Sequence, residues 1–194
     1  MRHPEALPRV GFSPDGRKLV LTLGGLDGNL DIHILDLASR ETKRLTTNRA
    51  IDTEGTWSPD GETIYFTSDR SGGPQIYRVS ANGGSAERVT FEGSYNARPR
   101  LSPDGSRLAL VHLDRGNYRI GVYDLESRDL LVLSAGSQDE SPSFAPNSDS
   151  LIYATRQGRN GVLETVSADG LVRQRLASGQ GDVREPVWSP FPRY

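Results

Sequence analysis

The 194-residue sequence contains no cysteine, which excludes disulfide bonds, thiolate metal ligands and a cysteine nucleophile. It has no apolar run near the ~20 residues that a membrane-spanning helix needs, and its first residues lack the apolar segment of a signal peptide. The 23 Lys and Arg residues nearly balance the 25 Asp and Glu residues, and no block of one charge stands out. We therefore expect no nucleic-acid partner and no direct membrane insertion.

Helix signals are scarce as well. No stretch carries apolar residues at helical spacing for three turns without an interrupting Gly or Pro, and the chain contains 21 Gly and 12 Pro. Short alternating runs bounded by Gly, Asn, Asp and Ser occur throughout instead. This pattern predicts many short strands joined by tight turns.

One sequence repeat recurs along the whole chain. The tetrapeptide Ser-Pro-Asp-Gly stands at 13–16, 58–61 and 102–105, and a related turn, Ala-Pro-Asn-Ser, stands at 145–148. The turn prolines are Pro14, Pro59, Pro103, Pro146 and Pro190, so the period is 43 to 45 residues. Each full unit holds four short apolar runs, which is typical of a four-stranded β-propeller blade.

The predicted fold is therefore all-β, with four complete antiparallel blades and one extra strand in a single domain over 1–194. The expected blades cover 9–46, 53–90, 97–134 and 140–177, and residues 184–191 form a closing strand. In each Ser-Pro-Asp-Gly turn the proline presets φ and the glycine takes the left-handed position, so the motif indicates architecture and not catalysis. An open arc would leave edges unpaired, which favours completion of the ring by other blades or by further copies.

This sequence repeat resembles the PD40 form of WD40-like repeats. The order of several unusual stretches narrows the resemblance to the C-terminal propeller of the TolB family, from about residue 11 to residue 191. These stretches include FSPDGRKLVLTL, TEGTWSPDG, QDESPSFAPNSDSLIYA and the terminal VREPVWSPF.

The TolB resemblance implies a six-bladed ring that follows an N-terminal α/β domain, so this chain corresponds to a piece without that domain and about two blades. It also implies a non-enzymatic periplasmic component of the Tol–Pal system. Such a protein binds the lipoprotein Pal and other Tol–Pal components, and takes part in outer-membrane integrity, cell division and bacteriocin import. No cofactor is expected, and self-association is expected to complete the ring.

Candidate binding residues come from the loops that enter each first strand, because propellers present function on loops held by a rigid scaffold. We aligned the repeats on Trp57, Leu101, Phe144 and Trp188 and took the positions three and four residues before them. The expected partner-binding rim consists of Thr53, Glu54, Arg98, Asp139, Glu140, Arg184 and Glu185. The alternative is that these are ordinary solvated loop charges.

Other site types have weaker support. His3, His33 and His112 share no metal-ligand spacing, and the segment 27–31 lacks the glycine of an EF-hand loop, so a hairpin turn is expected there. Trp57 and Trp188 hold equivalent positions and are expected in the core. Two alternative functions stay open: a regulatory propeller of a prolyl-oligopeptidase-like hydrolase, which needs a following hydrolase domain, and a small-ligand propeller, which needs an aromatic or histidine-rich channel.

Overall fold

The structure, a computed structural model, describes residues 10–25, 28–176 and 182–189. Sixteen strands in these residues form four antiparallel four-stranded sheets, each with its strands in sequence order. The predicted all-β fold of four-stranded blades is confirmed. The described residues contain no helix with the length and apolar character needed to span a membrane.

The chain divides into two compact units. The first, Met1–Phe91, holds two blades. Blade 1 consists of β1 (Gly11–Phe12), β2 (Lys18–Gly24), β3 (Leu30–Asp36) and β4 (Thr42–Arg44). Blade 2 consists of β5 (Asp52–Trp57), β6 (Thr63–Ser68), β7 (Gln75–Ser80) and β8 (Glu87–Arg88).

The second unit, Glu92–Tyr194, holds the other two blades. Blade 3 consists of β9 (Asn96–Leu101), β10 (Arg107–Asp114), β11 (Asn117–Asp124) and β12 (Leu130–Val132). Blade 4 consists of β13 (Glu140–Phe144), β14 (Ser150–Gln157), β15 (Asn160–Ser167) and β16 (Arg173–Arg175).

The Ser-Pro-Asp-Gly turns connect the first and second strands, as predicted. In blade 2 the Ser58 hydroxyl donates to Asp60 Oδ1 at 2.5 Å and accepts from the Thr63 amide at 2.9 Å. The glycine of this turn, Gly61, has φ +74°, the left-handed conformation that the motif predicts. In the fourth turn Ser148 adopts φ +63° without being glycine, so the turn geometry persists where the motif does not.

Apolar side chains from both blades of each unit form its core. In the first unit Val20, Ile32 and Phe66 are fully buried, and Trp57 is 8% exposed. The Trp57 Nε1 donates to the Gly11 carbonyl at 3.2 Å, which ties blade 2 to blade 1. The core position predicted for Trp57 is confirmed.

In three blades, a side-chain hydroxyl that follows the fourth strand accepts a hydrogen bond from the backbone of the third strand. Thr46, Thr90 and Ser134 accept hydrogen bonds from the amides of Ile32, Ile76 and Ile120 at 3.0, 2.9 and 2.8 Å. These bonds satisfy buried backbone donors at the point where each short outer strand ends. The repeat therefore includes polar contacts that the apolar pattern does not show.

Residues 182–189 form no strand, although part of the predicted closing strand lies in this segment and the rest lies outside the described residues. The Val183 amide donates to the Gly161 carbonyl at 3.2 Å, and the Trp188 amide donates to Ser143 Oγ at 3.3 Å. The segment thus lies along blade 4. The core position predicted for Trp188 is wrong: the residue is 38% exposed, because no further described strand covers it.

Candidate functional site

Three first strands contain the same β-bulge. In β5, residues 54 and 55 together oppose Phe66 of β6, because Thr53 pairs with Thr67 and Thr56 pairs with Tyr65. The corresponding two-residue bulges oppose Leu110 in blade 3 and Tyr153 in blade 4. Bulges re-aim side chains and interrupt strand pairing, and they are common beside functional sites.

The first residue of each bulge has a left-handed backbone although it is not glycine. We call Glu54, Arg98, Ser141 and Glu185 the bulge positions; their φ angles are 59°, 59°, 59° and 53°. Non-glycine residues with positive φ are uncommon, and such strain persists only where the surroundings enforce it. Glu185 keeps this conformation in a segment that forms no strand, so the local geometry belongs to the repeat itself.

Glu54 and Arg98 therefore lie at bulges of first strands, and Thr53 and Glu140 lie directly beside such bulges. Arg184 and Glu185 lie in a segment that forms no strand. The sequence also indicates the bulge through residue type, which the repeat spacing alone does not show. The residue after each bulge position is Gly55, Pro99, Pro142 or Pro186, two residue types that punctuate strands.

Asp139 does not belong to an exposed rim. It is 1% exposed, and its carboxylate accepts hydrogen bonds from the hydroxyls of Ser134 and Thr155 and from the Gly136 amide at 3.0 Å. Its own amide donates to the Tyr118 carbonyl at 2.9 Å. A buried carboxylate with this many donors joins blades 3 and 4, so we leave Asp139 out of the proposed surface.

In blades 2, 3 and 4, the residue directly before the two aligned rim positions (53–54, 97–98 and 140–141) is polar and buried. Asp52 and Asn96 are both 0% exposed and correspond to Asp139 in the repeat. Asp52 accepts two bonds from Arg70 Nη2 at 3.0 and 2.8 Å, and Asn96 Nδ2 donates to the Glu92 carbonyl at 2.7 Å. Sequence reasoning missed this structural position because polar residues before a strand predict exposure.

Thr53 and Glu54 lie in the first unit and differ in exposure. Thr53 is half-buried, whereas Glu54 is 8% exposed. The Glu54 carboxylate accepts from Thr67 Oγ1 at 3.0 Å, and its amide donates to Thr22 Oγ1 of blade 1 at 3.3 Å. Glu54 thus contributes to the junction of the two blades, and Thr53 is the more accessible of the pair.

In the second unit, charged side chains of alternating sign lie at the first strands of blades 3 and 4 and in the segment 182–189. Arg98 Nη1 lies 3.3 Å from Glu140 Oε2 and also donates to the Ser141 hydroxyl at 3.4 Å. Arg184 pairs with Asp182 at 2.7 Å. We call Arg98, Glu140, Arg184 and Asp182 the charged line.

The outer end of this line is solvent-accessible. The side chains of Arg184 and Asp182 are 48% and 46% exposed. Their mutual hydrogen bond raises the pKa of Arg184 and lowers that of Asp182, and the Glu140 carboxylate raises the Arg184 pKa further. Both groups are therefore fully charged at neutral pH, and they present a fixed polar pattern to a partner.

His33 and His112 lie within the described residues, and His3 lies outside them. Within the described ranges, no three His, Cys, Asp or Glu side chains lie close enough to hold a metal ion. His33 lies in β3 as predicted, and His112 lies in β10 with Nδ1 2.9 Å from Asn96 Oδ1. Residue 27 of the segment 27–31 lies outside the described residues, and the Gly28 amide donates to the Gly25 carbonyl in a turn between β2 and β3.

Known proteins resemble this chain in sequence and in fold. The TolB β-propeller domain family matches residues 7–192. The Tol-Pal system protein TolB of Xanthomonas campestris pv. campestris (strain B100) is 54% identical over 116 residues, which are 59% of this chain and 26% of that protein. The chain thus matches about a quarter of the length of such curated relatives.

Two solved structures agree with the family match. TolB from Acinetobacter baumannii superposes with a TM-score of 0.87 at 47% identity, covering 93% of this chain and 45% of that one. The putative TolB from Agrobacterium tumefaciens superposes with a TM-score of 0.84, covering 97% of this chain and 68% of that one; at 22% identity it shows the fold alone. With its repeated turns, its four-stranded blades and a family match over nearly its whole length, the chain belongs to the TolB β-propeller family.

Proposed function

We propose that this chain is a non-enzymatic, periplasmic protein-binding platform of the Tol–Pal system, and that it binds the lipoprotein Pal. The relatives that match it are named as TolB of that system. The observation that carries the proposal is the charged line of the second unit, because fixed charges of both signs give a surface specificity for a complementary protein.

The proposed contact residues are the exposed or half-buried members of the rim, namely Arg98, Glu140, Arg184 and Glu185, with Thr53 at the equivalent place in blade 2. Three of these are held by their neighbours: Arg98 and Glu140 by their ion pair, and Arg184 by Asp182. Ordered side chains lose less conformational entropy on binding, which favours recognition by this line. The hydrolase alternative has no comparable observation in its favour.

The test is calorimetric titration of the chain with purified Pal. We expect Arg184→Glu to weaken binding by about tenfold or more, because it reverses a charge at an interface while leaving the core intact. Arg17→Glu changes the charge equally at an exposed position in the first Ser-Pro-Asp-Gly turn and serves as the control. Unchanged Pal affinity in Arg184→Glu and Arg98→Glu, or no Pal binding by the unaltered chain, would overturn the proposal.

Self-association is a second part of the proposal. Phe12 holds the repeat position of Trp57 and Phe144, yet it is 67% exposed while they are 8% and 7% exposed. Trp57 packs on the preceding blade, so a second copy that presents a blade to Phe12 would bury an equivalent apolar contact. Sedimentation should show concentration-dependent association that Phe12→Ser reduces, and a strictly monomeric unaltered chain at high micromolar concentration contradicts it.

A further inference from the structure

A cavity of about 300 Å³ opens in the second unit, lined by strands β14, β15 and β16 of blade 4 and by Ala135 and Gly136, which follow blade 3. Its charged lining side chains are Arg156, Arg173, Arg175 and Glu164, and Gln157 and Thr155 complete the polar wall. Glu140 of β13 pairs with Ala154, so the end of β14 that contributes to this cavity lies at the same end of the blade as the start of β13. None of these residues belongs to the charged line.

The three arginines of the cavity have no carboxylate partner among the described residues. The Arg173 guanidinium donates to the Leu133 carbonyl, and that of Arg175 donates to Gln157 Oε1. These neutral acceptors orient two of the guanidinium groups without cancelling their charge. The Arg156 side chain makes no hydrogen bond within the same part of the chain. The pKa of Asp182 is lowered by its bonds from Arg184 and the Gly161 amide, and the charge of Arg156 lowers it further.

Three other arginines of the same unit form direct ion pairs. Arg98, Arg119 and Arg184 each pair with a carboxylate, at 3.3, 2.6 and 2.7 Å. The cavity lining therefore carries more positive than negative charge, three arginines against Glu164, and a concave site strengthens such a field.

Glu164 supplies the one negative charge in the lining. Its Oε2 accepts the Tyr153 hydroxyl at 2.7 Å, and this bond together with burial raises the pKa of Tyr153. The carboxylate is thus held in place beside the arginines.

We propose that this cavity binds a single carboxylate group, carried by an acidic side chain of a peptide. Planar guanidinium groups match a carboxylate through paired hydrogen bonds, and the net positive lining attracts an anion. The volume stands at the lower end of the range for ligand sites, which suits one side chain and not an extended ligand. The cavity and the charged line are probed through different residues, so either can fail alone.

The test uses two blocked amino acids of nearly equal size, N-acetyl-glutamate amide and N-acetyl-glutamine amide, titrated into the chain at neutral pH. We expect the glutamate compound alone to give saturable shifts of the Gly136 amide and the arginine side-chain signals in nitrogen–proton NMR spectra. Arg156→Gln should weaken this binding by about tenfold, the value of one charge-assisted hydrogen bond. Because Arg156 is exposed and makes no described hydrogen bond, its replacement leaves folding intact.

Arg17→Gln removes the same charge at an exposed position of the first unit and should leave the affinity unchanged. Acetate and inorganic phosphate form two further arms of the titration. Acetate is expected to bind at the same signals more weakly than the glutamate compound, since it lacks the rest of the side chain. Equal response to the glutamine compound, no loss in Arg156→Gln, or tighter binding of phosphate than of the glutamate compound overturns the carboxylate site.

Discussion

Arg98 and Glu140 form an ion pair, with 3.3 Å between Nη1 and Oε2, that joins the first strands of two successive blades. The left-handed backbone of Arg98 at the bulge and the start of β13 at Glu140 bring the two side chains together. Their side chains are 16% and 35% exposed, so the pair is partly shielded yet accessible from solvent. One contact therefore serves both the junction of blades 3 and 4 and the proposed partner surface.

The strength of this pair can be measured with a double-mutant cycle of Arg98→Gln and Glu140→Gln. We expect a coupling free energy of about 1 kcal/mol or less, since partly exposed ion pairs gain little over hydration. Urea denaturation of the four proteins gives the value. A coupling that is zero within error would show that the two side chains contribute independently.

A larger effect is expected at Asp52 and Arg70. The Asp52 carboxylate is fully buried, and each of its two oxygens accepts a hydrogen bond from Arg70. The Arg70 guanidinium also lies 4.7 Å from the ring centre of Tyr77. Asp52→Ala should lower the free energy of unfolding by about 3 kcal/mol, because it strands a largely buried cation.

The control for this prediction is Glu87→Ala in the same unit. Glu87 pairs with Arg78 at 2.9 Å, but the two side chains are 65% and 51% exposed. That substitution should cost less than about 1 kcal/mol. Similar losses in both variants, measured by thermal and urea unfolding, would contradict a structural role for the buried pair.

Gly55 should tolerate no side chain. A Cβ there would lie 2.7 Å from Val20 Cγ2 of blade 1, in a core where no flexible group can yield. We expect Gly55→Ala to destabilise the first unit by about 1–3 kcal/mol through overpacking. Gly24→Ala is the matched control, because its Cβ meets only Leu30 Cδ2 at 3.7 Å, and a loss there of equal size would exclude close blade packing as the cause.

Stability should fall as the pH decreases from about 7 to 5. Burial lowers the pKa of His112 from its ordinary value of 6.5, although Asp114 and Glu92 oppose the shift, and burial lowers the pKa of His33 in the same direction. The unfolded chain then binds more protons than the folded one below pH 6.5, so the histidines' contribution is complete above that pH and is lost below it.

The pH dependence is checked by urea denaturation between about pH 5 and 7, a range in which carboxylates with lowered pKa, such as Asp36 and Asp124, stay charged. His112→Gln should flatten the slope of unfolding free energy against pH. Replacing His33 as well should flatten it further. An identical slope in the unaltered chain and the double variant would exclude the two histidines as its source.

The rim residues show which part of the candidate site the sequence predicted. Aligning the repeats brought together Arg98, Glu140 and Arg184, which the structure places in or beside the charged line. The same alignment grouped Asp139 and Glu54 with them, although both are buried. Repeat spacing fixes a residue's place along the strand, but a bulge shifts the alternation of faces, and that shift decides which side chains reach solvent.

The sequence by itself determined the blade. The fixed period, the proline and glycine of the turns, and the short apolar runs are local features whose backbone preferences do not depend on distant parts of the chain. Only the tertiary structure decided which polar residues are buried, how the arginines pair, and which side chains meet in the cavity around Arg156. These outcomes depend on contacts between residues far apart in sequence, such as Arg98 with Glu140 or Arg173 with Leu133, and such contacts have no local signal.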